Sequence, residues 1–297
     1  MPAPACGQLM ANSAAPSYDP QRGPSVENAR LAMFPERLAA LLLCLALAAC
    51  QSTSISFPNA RLEGYYAGKV ETVHGLLSRP QGKGPFPAVV LLHSCGGFTS
   101  HVTHDWPSYF AEIGYVALSV DTFGSRGYQR CRNPYWGARD TFVKDAYGAL
   151  EYLAAQPFVD KERVAAMGFS LGTNHINGGL IRSRVRAAGE LDFKAAIGLY
   201  GHCTEIGPYP KGSIPLLQIG AEHDPAHAPG CAALGKARPE IEVHILPGAY
   251  HAFDSREASG RKGAIGERME YSAEATRKAR ELVRVFLGKH LRRAPGS

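Results

Sequence analysis

The feature that most constrains the fold is a series of short, continuous apolar runs that alternate with segments of helical periodicity. Because these runs are apolar throughout, rather than at every second residue, the strands they form should be buried on both faces. Such strands, separated by helices, predict an α/β fold with a mostly parallel sheet and helices on both faces. The predicted strands are residues 86–92, 115–120, 164–168, 195–200, 214–219 and 241–246, and the predicted helices are 106–113, 140–155, 173–182 and 273–291.

A more polar stretch, residues 61–80, precedes these strands and predicts an antiparallel hairpin at the edge of the sheet. The chain has 297 residues, 45% of them hydrophobic, which is typical of a globular protein with a sizeable core. No internal repeat or interdomain linker interrupts the pattern. We therefore expect a single domain over residues 61–292, preceded by a short tether at residues 50–60.

The first fifty residues follow a different pattern. Leu38–Ala49 is a run of 12 residues, almost entirely leucine and alanine, that follows Arg37 and ends at Cys50. The run is too short to span a bilayer but suits the hydrophobic region of a signal peptide. Its Leu-Ala-Ala-Cys ending is similar to a bacterial lipobox, in which the cysteine is lipidated and becomes the new N-terminus.

We therefore expect residues 1–49 to be a leader and Cys50 to be lipidated. Met33 is the expected true start, because a signal peptide beginning at Met1 would have an unusually long segment before its apolar run. Gln51, rather than an acidic residue, follows the cysteine, which by resemblance to such lipoproteins predicts a periplasmic protein anchored to the outer membrane of a bacterium. A plain secretory signal with an incidental cysteine, or a buried helix, is the alternative.

The charge balance argues against a nucleic-acid partner. The net charge is +6, and basic residues concentrate in the segment from Arg277 to Arg293. Acidic residues interrupt that segment, and no array of basic and aromatic residues occurs. A solvated helix face explains the pattern better than nucleic-acid binding.

Gly168-Phe169-Ser170-Leu171-Gly172 lies between a predicted strand and a predicted helix. This is the context that a G-x-S-x-G nucleophile elbow requires, because the turn that exposes the serine is too tight for side chains at the two glycines. The pentapeptide alone could be a chance match, since small residues are common in turns between strands and helices.

A serine hydroxyl needs a base to take its proton, and that base is usually a histidine oriented by a carboxylate. Asp224 follows the strand 214–219, and His251 follows the strand 241–246. The order serine, acid, histidine matches the α/β-hydrolase arrangement, so Ser170, Asp224 and His251 are the predicted catalytic residues. Glu222 is an alternative acid, and His223 and His227 are alternative bases.

An oxyanion hole needs two backbone N–H groups directed at the developing negative charge. We expect one from Leu171, directly after the nucleophile, and one from Cys95 in the loop after the strand 86–92, with Ser94 as the second choice for that loop. His93 could brace this loop or contact substrate. Other histidines could line the pocket or lie at the surface: His101, His104, His175 and His202.

Four cysteines lie outside the leader: Cys95, Cys131, Cys203 and Cys231. Export would permit disulfides, and four cysteines allow three pairings. Cys203 and Cys231 each follow a predicted strand at the same sheet edge, so we favour Cys203–Cys231 with Cys95–Cys131. The spacings do not fit a zinc site, and four free thiols are the alternative.

Taken together, these motifs resemble the dienelactone hydrolase family of α/β-hydrolases over about residues 60–292. The resemblance implies an α/β-hydrolase fold, the triad Ser170, Asp224 and His251, and a role for Arg126 in binding a substrate carboxylate. A structural ion pair of Arg126 with Asp121 or Asp140 is the alternative. The segments that carry the resemblance are Leu91–Gly97, Gly114–Tyr115, Asp121–Gly127, Gly168–Gly172, Gly220–Asp224 and Pro247–Phe253.

The chain departs from the family pattern at the nucleophile, because the namesake enzymes carry cysteine where this chain has Ser170. We therefore expect a carboxylester or lactone hydrolase that acts on a small-molecule substrate, with no cofactor and no metal. A peptidase or thioesterase on the same fold is one alternative, and a catalytically silent ligand-binding lipoprotein is another. The sequence leaves the natural substrate and the oligomeric state open.

Overall fold

The computed structural model describes residues 52–131, 139–181, 190–206 and 213–292, so the predicted leader, Met33 and Cys50 lie outside the described residues. Eight strands form one sheet in the order β1-β2-β4-β3-β5-β6-β7-β8. The first two pairs in this order are antiparallel, and the others are parallel. The strands are β1 Thr53–Pro58, β2 Thr72–Ser78, β3 Phe86–Leu92, β4 Val116–Asp121, β5 Val159–Phe169, β6 Ala195–Leu199, β7 Leu216–Ala221 and β8 Glu242–Leu246.

Five α-helices connect and cover these strands: α1 Trp106–Glu112, α2 Arg139–Ala154, α3 Leu171–His175, α4 Ala228–Ala237 and α5 Ala273–His290. A π-helical segment, Ile176–Ile181, continues α3, so the predicted helix after Ser170 changes its hydrogen-bond pattern halfway. The long helix α5 begins where predicted, because the Ser272 hydroxyl accepts a hydrogen bond from the Ala275 amide and caps its N-terminus. Helix α4 is not predicted from the sequence, because its one proline, two glycines and small residues give little helical periodicity.

The predicted hairpin at residues 61–80 is wrong in its first strand. Thr53–Pro58 pairs antiparallel with Thr72–Ser78, and residues 59–71 form the connection, including a 3₁₀ turn at Gly64–Tyr66. The predicted tether at 50–60 is therefore largely an edge strand. Its exposed serines and threonine suggest a linker, but Phe57 turns inward and is 2% exposed, which gives the strand a buried face.

The core lies on both faces of the sheet, as the apolar runs predict. In β3, Val90 and Leu92 pack into the cluster that contains Phe142 of α2. Val89 and Leu91 pack into the opposite cluster, with Trp106 of α1 and Phe286 of α5. Successive side chains of a strand point to opposite faces, so a strand covered on both sides must be apolar throughout.

This topology brings the candidate residues to one edge of the sheet. β5, β7 and β8 are parallel, and Ser170, Asp224 and His251 each follow the carboxyl end of one of them. That edge is where open α/β sheets bind their ligands. Of the helices in the described part of the chain, none is both long and apolar enough to cross a bilayer.

Candidate active site

Ser170 occupies a tight turn between β5 and α3. Its backbone has φ 50° and ψ −108°, a conformation that is unfavourable for a residue with a side chain. The turn is held by the Ser170 amide, which donates to the Leu199 carbonyl over 2.9 Å. Backbone strain of this kind costs roughly 1–3 kcal/mol and persists only where the surrounding structure enforces it. The backbone at Ser170 therefore has the tight, strained turn that a nucleophile elbow requires.

The two glycines of the pentapeptide are required by close backbone approaches. A Cβ at Gly168 would overlap the backbone of Gly172, and a Cβ at Gly172 would overlap the carbonyl of Leu92. A side chain at Gly168 would push the start of α3 away from β5, and one at Gly172 would push it away from β3, so the serine would move in either case. The glycines therefore set the position of the Ser170 hydroxyl.

The structure brings the three predicted catalytic residues together. His251 Nε2 lies 2.9 Å from Ser170 Oγ, and His251 Nδ1 lies 2.6 Å from Asp224 Oδ2. Asp224 and His251 are buried, whereas Ser170 is partly exposed. Burial alone would raise the pKa of Asp224, but hydrogen bonds from His227 and His251 outweigh it and hold that pKa well below its usual value. An ionised Asp224 accepts a hydrogen bond from the Nδ1–H group of His251, which leaves Nε2 free to accept the serine proton.

The alternative acid and bases have other partners. His227 is buried and donates from Nδ1 to both oxygens of Asp224, at 2.9 and 2.8 Å, so it contacts the acid rather than the serine. Glu222 accepts a hydrogen bond from the Gly248 amide, and His223 packs against the ring of Tyr250. Of the alternatives, only His227 therefore joins the triad geometry.

A second buried carboxylate, Asp254, lies behind His251. The sequence analysis does not identify it. Asp254 is 2% exposed and accepts hydrogen bonds from Trp106 Nε1 and Tyr200 Oη, both at 2.7 Å. Burial, followed by the nearby Asp254 charge, raises the pKa of Tyr200 well above its usual value, so the phenol stays a donor. The Tyr200 ring lies edge-on to His251 at 5.0 Å. The available signal was an acidic residue three positions after the predicted base.

A small pocket opens beside the serine hydroxyl, and both predicted oxyanion donors line it. Leu171 is the first residue of α3, and the first amides of a helix have no acceptor within the helix. In the described part of the chain the Cys95 amide also has no protein acceptor, although the Cys95 carbonyl accepts from the Cys131 amide. Ser94, the second choice, is not among the residues that line this pocket.

The four cysteines lie in the two favoured pairs at disulfide distance. Cys95 and Cys131 have Cα atoms 4.9 Å apart, and Cys203 and Cys231 have Cα atoms 4.8 Å apart. Cys231 belongs to α4 rather than to a turn after a strand. The first pair fixes the loop that carries the Cys95 amide.

Arg126 does not lie free for a substrate carboxylate. Its guanidinium donates to both oxygens of Asp145, to Glu71 through two nitrogens, and to the Thr122 carbonyl, with distances from 2.7 to 3.0 Å. All five N–H groups of the guanidinium are thereby used within the protein. The predicted substrate role is therefore wrong. The ion-pair alternative is right in kind, but its partners are Asp145 and Glu71 rather than Asp121 or Asp140.

His93 is also placed away from substrate. Its side chain is fully buried against the rings of Phe123 and Phe142, and Nδ1 donates to the Ser94 carbonyl over 2.8 Å. The histidine therefore braces the Cys95 loop, and its assignment as a substrate-binding residue is wrong. Burial lowers the pKa of His93 from 6.5 to about 4.

The shift at His93 predicts a pH dependence of stability. Above pH 6.5 the imidazole is neutral in the folded and unfolded states, so its contribution is complete. As the pH falls from 6.5 to 4, only the unfolded state binds the proton, and about 3 kcal/mol of unfolding free energy should be lost. Urea denaturation across this range should show a shallower slope for His93→Asn, which keeps a donor but does not titrate. Equal slopes for both proteins would contradict the buried neutral assignment.

The other histidines differ in their distance from the site. His101 is buried, with Nδ1 3.1 Å from the Thr99 hydroxyl, and His104 is exposed beside Asp105. His175 stacks on Phe142, below the elbow. The ring of His202 lies 4.2 Å from that of His227, which itself contacts Asp224.

Asp224, His227 and His251 are also the residues of the described chain whose donor atoms lie close enough to share a cation, within 4.8 Å of one another. Both histidines direct Nδ1 at the Asp224 carboxylate. Hydrogen bonding of the two imidazoles to an ionised Asp224 therefore accounts for the cluster.

Comparisons with known proteins identify the family of the chain and its fold. Residues 73–291 match the family described as the dienelactone hydrolase family. The chain is 31% identical over 150 residues to esterase FrsA of Klebsiella pneumoniae subsp. pneumoniae, and 32% identical over 152 residues to esterase FrsA of an Enterobacter species. These alignments cover 50% of this chain and 33% and 34% of the relatives, so the chain spans about a third of their length.

Solved structures share the fold at lower identity. The dienelactone hydrolase of Anabaena variabilis superposes with a TM-score of 0.57 at 17% identity, covering 82% of this chain and 100% of its own. A dienelactone hydrolase-like promiscuous phosphotriesterase from metagenomic libraries gives a TM-score of 0.60 at 21% identity, with coverages of 81% and 99%. The match over residues 73–291, together with this α/β-hydrolase fold, shows that the chain belongs to the dienelactone hydrolase family.

Proposed function

We propose that the protein is a serine hydrolase that cleaves carboxylic esters or lactones through Ser170, His251 and Asp224. The observation that carries the proposal is the line of short contacts from Ser170 Oγ through His251 to Asp224, 2.9 and 2.6 Å long, at a strained elbow. Membership of the family and the similarity to esterases named FrsA support the same reaction class.

In the acylation step, Ser170 Oγ attacks the ester carbonyl while its proton passes to His251 Nε2. The Leu171 and Cys95 amides donate hydrogen bonds to the oxyanion of the tetrahedral intermediate. The intermediate then collapses, its bond to the alcohol oxygen breaks, and that oxygen takes the proton from Nε2. The alcohol leaves, and the acyl group stays bonded to Ser170.

In the deacylation step, a water molecule attacks the acyl carbonyl and gives its proton to His251 Nε2. The second tetrahedral intermediate collapses, the bond to Ser170 Oγ breaks, and the serine takes the proton back. The products are a carboxylic acid and an alcohol, and the enzyme returns to its starting state. Asp224 stays ionised throughout, because it holds the imidazole and stabilises its protonated form.

Two features favour ordinary esters over dienelactone as substrate. The nucleophile is an oxygen rather than a sulfur, and the Arg126 guanidinium is already saturated by Glu71, Asp145 and Thr122. Without a free arginine to bind a carboxylate, the site gains less binding energy from an anionic substrate.

We further propose that the mature protein is exported and anchored through a lipid on Cys50. The Leu38–Ala49 run and the sequence that ends at Cys50 support this location. Two cysteine pairs at disulfide distance fit an oxidising compartment such as the periplasm.

The proposed reaction is tested by labelling with a fluorophosphonate probe, which reacts with activated serines. We expect one label per chain and a loss of p-nitrophenyl acetate hydrolysis in proportion to the labelling. A protein that stays unlabelled, or that keeps its hydrolytic activity when fully labelled, would contradict the proposal. A panel of p-nitrophenyl esters of increasing acyl length, measured with the same protein, then defines the preferred acid.

A further inference from the structure

A short hairpin that covers the nucleophile carries one more charged group into the site. This covering hairpin, residues 260–269, follows the histidine loop and precedes α5. It closes through a bridge between Lys262 and Arg268 and through the Gly263 amide, which donates to the Glu267 carbonyl over 2.8 Å. A further bridge joins Met269 to His251. The hairpin is therefore attached to the catalytic histidine itself.

The Glu267 side chain points from this hairpin toward the triad. Its Oε1 lies 3.7 Å from His251 Nε2, the side chain is 7% exposed, and Glu267 lines the same pocket as Ser170. Its Oε2 accepts a hydrogen bond from the Ile265 amide over 2.9 Å, which fixes the carboxylate. A Cβ at Gly263 would overlap this carboxylate, so the glycine leaves room for the Glu267 side chain.

The charge of this carboxylate is not neutralised by a cation. In the described ranges, no lysine or arginine forms an ion pair with Glu267, and its one ionisable partner is His251. The described residues that line the pocket include Cys95, Leu171, His227 and Ile265, and Glu267 is the only carboxylate, lysine or arginine among them. Glu267 therefore contributes a negative charge on one side of the pocket.

The Glu267 carboxylate lies where we expect the alcohol part of a bound ester. The departing alcohol oxygen takes its proton from His251 Nε2 and must approach that atom to hydrogen-bond distance. Substituents on that oxygen therefore lie next to the Glu267 carboxylate, which is 3.7 Å from the same nitrogen. A cationic substituent would be attracted there, and an anionic one would be repelled.

We propose that Glu267 sets the leaving-group specificity of the site, favouring esters of cationic alcohols over neutral ones and disfavouring anionic ones. The inference rests on the proposed hydrolase function and names the substrate class on its alcohol side. Glu267 also lies near the His251 imidazolium, which forms during the reaction of every ester. Its stabilisation of that imidazolium is the same for all leaving groups. The ratio of the rate constants for two leaving groups in the same protein therefore reports the leaving-group specificity alone.

The test uses three acetate esters that acylate the serine and differ only in the alcohol that leaves. The alcohols are choline, its uncharged isostere 3,3-dimethylbutanol, and 4-hydroxybutanoate. Values of kcat/KM are measured from acid release at constant pH, and they report the steps up to acylation. We expect the wild type to react in the order cationic, neutral, anionic, and Glu267→Gln to lower the cationic-to-neutral ratio about tenfold.

The matched control is Glu270→Gln. Glu270 is partly exposed, lies next to the covering hairpin and pairs with Arg268, so the substitution also removes one negative charge. Its ratios should stay within about twofold of the wild type, since distant exposed charges are screened. Ratios that do not change in Glu267→Gln, or that change equally in Glu270→Gln, would overturn the inference and leave the hydrolase proposal standing. A wild-type protein that hydrolyses none of the three esters would contradict the hydrolase proposal, and the specificity inference would fall with it.

Discussion

Ser170→Ala is expected to lower kcat/KM for p-nitrophenyl acetate by about 10⁴- to 10⁶-fold, because the group that attacks the carbonyl is removed. The residual rate would come from the oxyanion donors and from binding, which the substitution leaves in place. The protein should remain folded, since the Ser170 hydroxyl contacts only His251 Nε2 among the described side chains. Steady-state kinetics and a thermal melt on the same sample measure both effects.

Ser100→Ala is the matched control for this substitution. Ser100 is exposed and its hydroxyl contacts Glu257 rather than the triad, so its removal should change kcat/KM by less than about twofold. A Ser170→Ala protein that keeps a tenth or more of the wild-type kcat/KM would contradict the role of Ser170. An equal loss in Ser100→Ala would point to a general effect on the fold.

Arg126→Met is expected to lower the free energy of unfolding by about 3–5 kcal/mol, which corresponds to a fall in Tm of about 10 °C for a domain of this size. The reason is that Asp145 is fully buried and loses the guanidinium that binds both its oxygens. Glu71 has a half-exposed side chain and can be solvated instead. Selectivity between ester substrates with and without a carboxylate should not change, since Arg126 does not face the pocket.

Two further variants separate the buried charge from other effects. Arg126→Met combined with Asp145→Asn should recover about half or more of the lost stability, because no unpaired buried charge remains. Lys278→Met, which breaks an exposed pair with Glu281, should change the free energy of unfolding by less than about 1 kcal/mol. A stable Arg126→Met protein that loses a preference for carboxylate-bearing esters would instead restore the substrate role.

The sequence predicts the parallel sheet and the triad for the same physical reason. Strands buried on both faces have a clear apolar signal, and their carboxyl ends must meet at one edge. Ser170, Asp224 and His251 follow three such strands, so their proximity follows from the topology alone. Strand β1 has only one buried face and carries exposed serines, and its sequence is therefore read as a linker.

The partners of Arg126 and His93 could not be read from the sequence, because they depend on contacts between distant segments. Glu71 lies 55 residues before Arg126 and Asp145 lies 19 residues after it. His93 is withdrawn from solvent by Phe123 and Phe142, which come from a turn and from helix α2.

The position of Glu267 beside the triad could not be predicted from the sequence either, because the covering hairpin that carries it has a weak pattern. It has no strand long enough to give an alternating pattern, and it reaches the site only because Met269 pairs with His251. His227 is the intermediate case. The sequence offers His227 as a candidate base, but its contact with both Asp224 oxygens depends on how the loop after β7 folds.

The proposed reaction requires that Ser170 carries an acyl group during turnover. This is measured by quenching the reaction with p-nitrophenyl acetate in acid, digesting the protein and locating the acetyl group by mass spectrometry. We expect the acetyl group on the peptide that contains Gly168–Gly172, assigned to Ser170 and removed by hydroxylamine. Ester turnover with the acetyl group on another residue, or with Ser170 unmodified at every quench time, would contradict the proposed reaction.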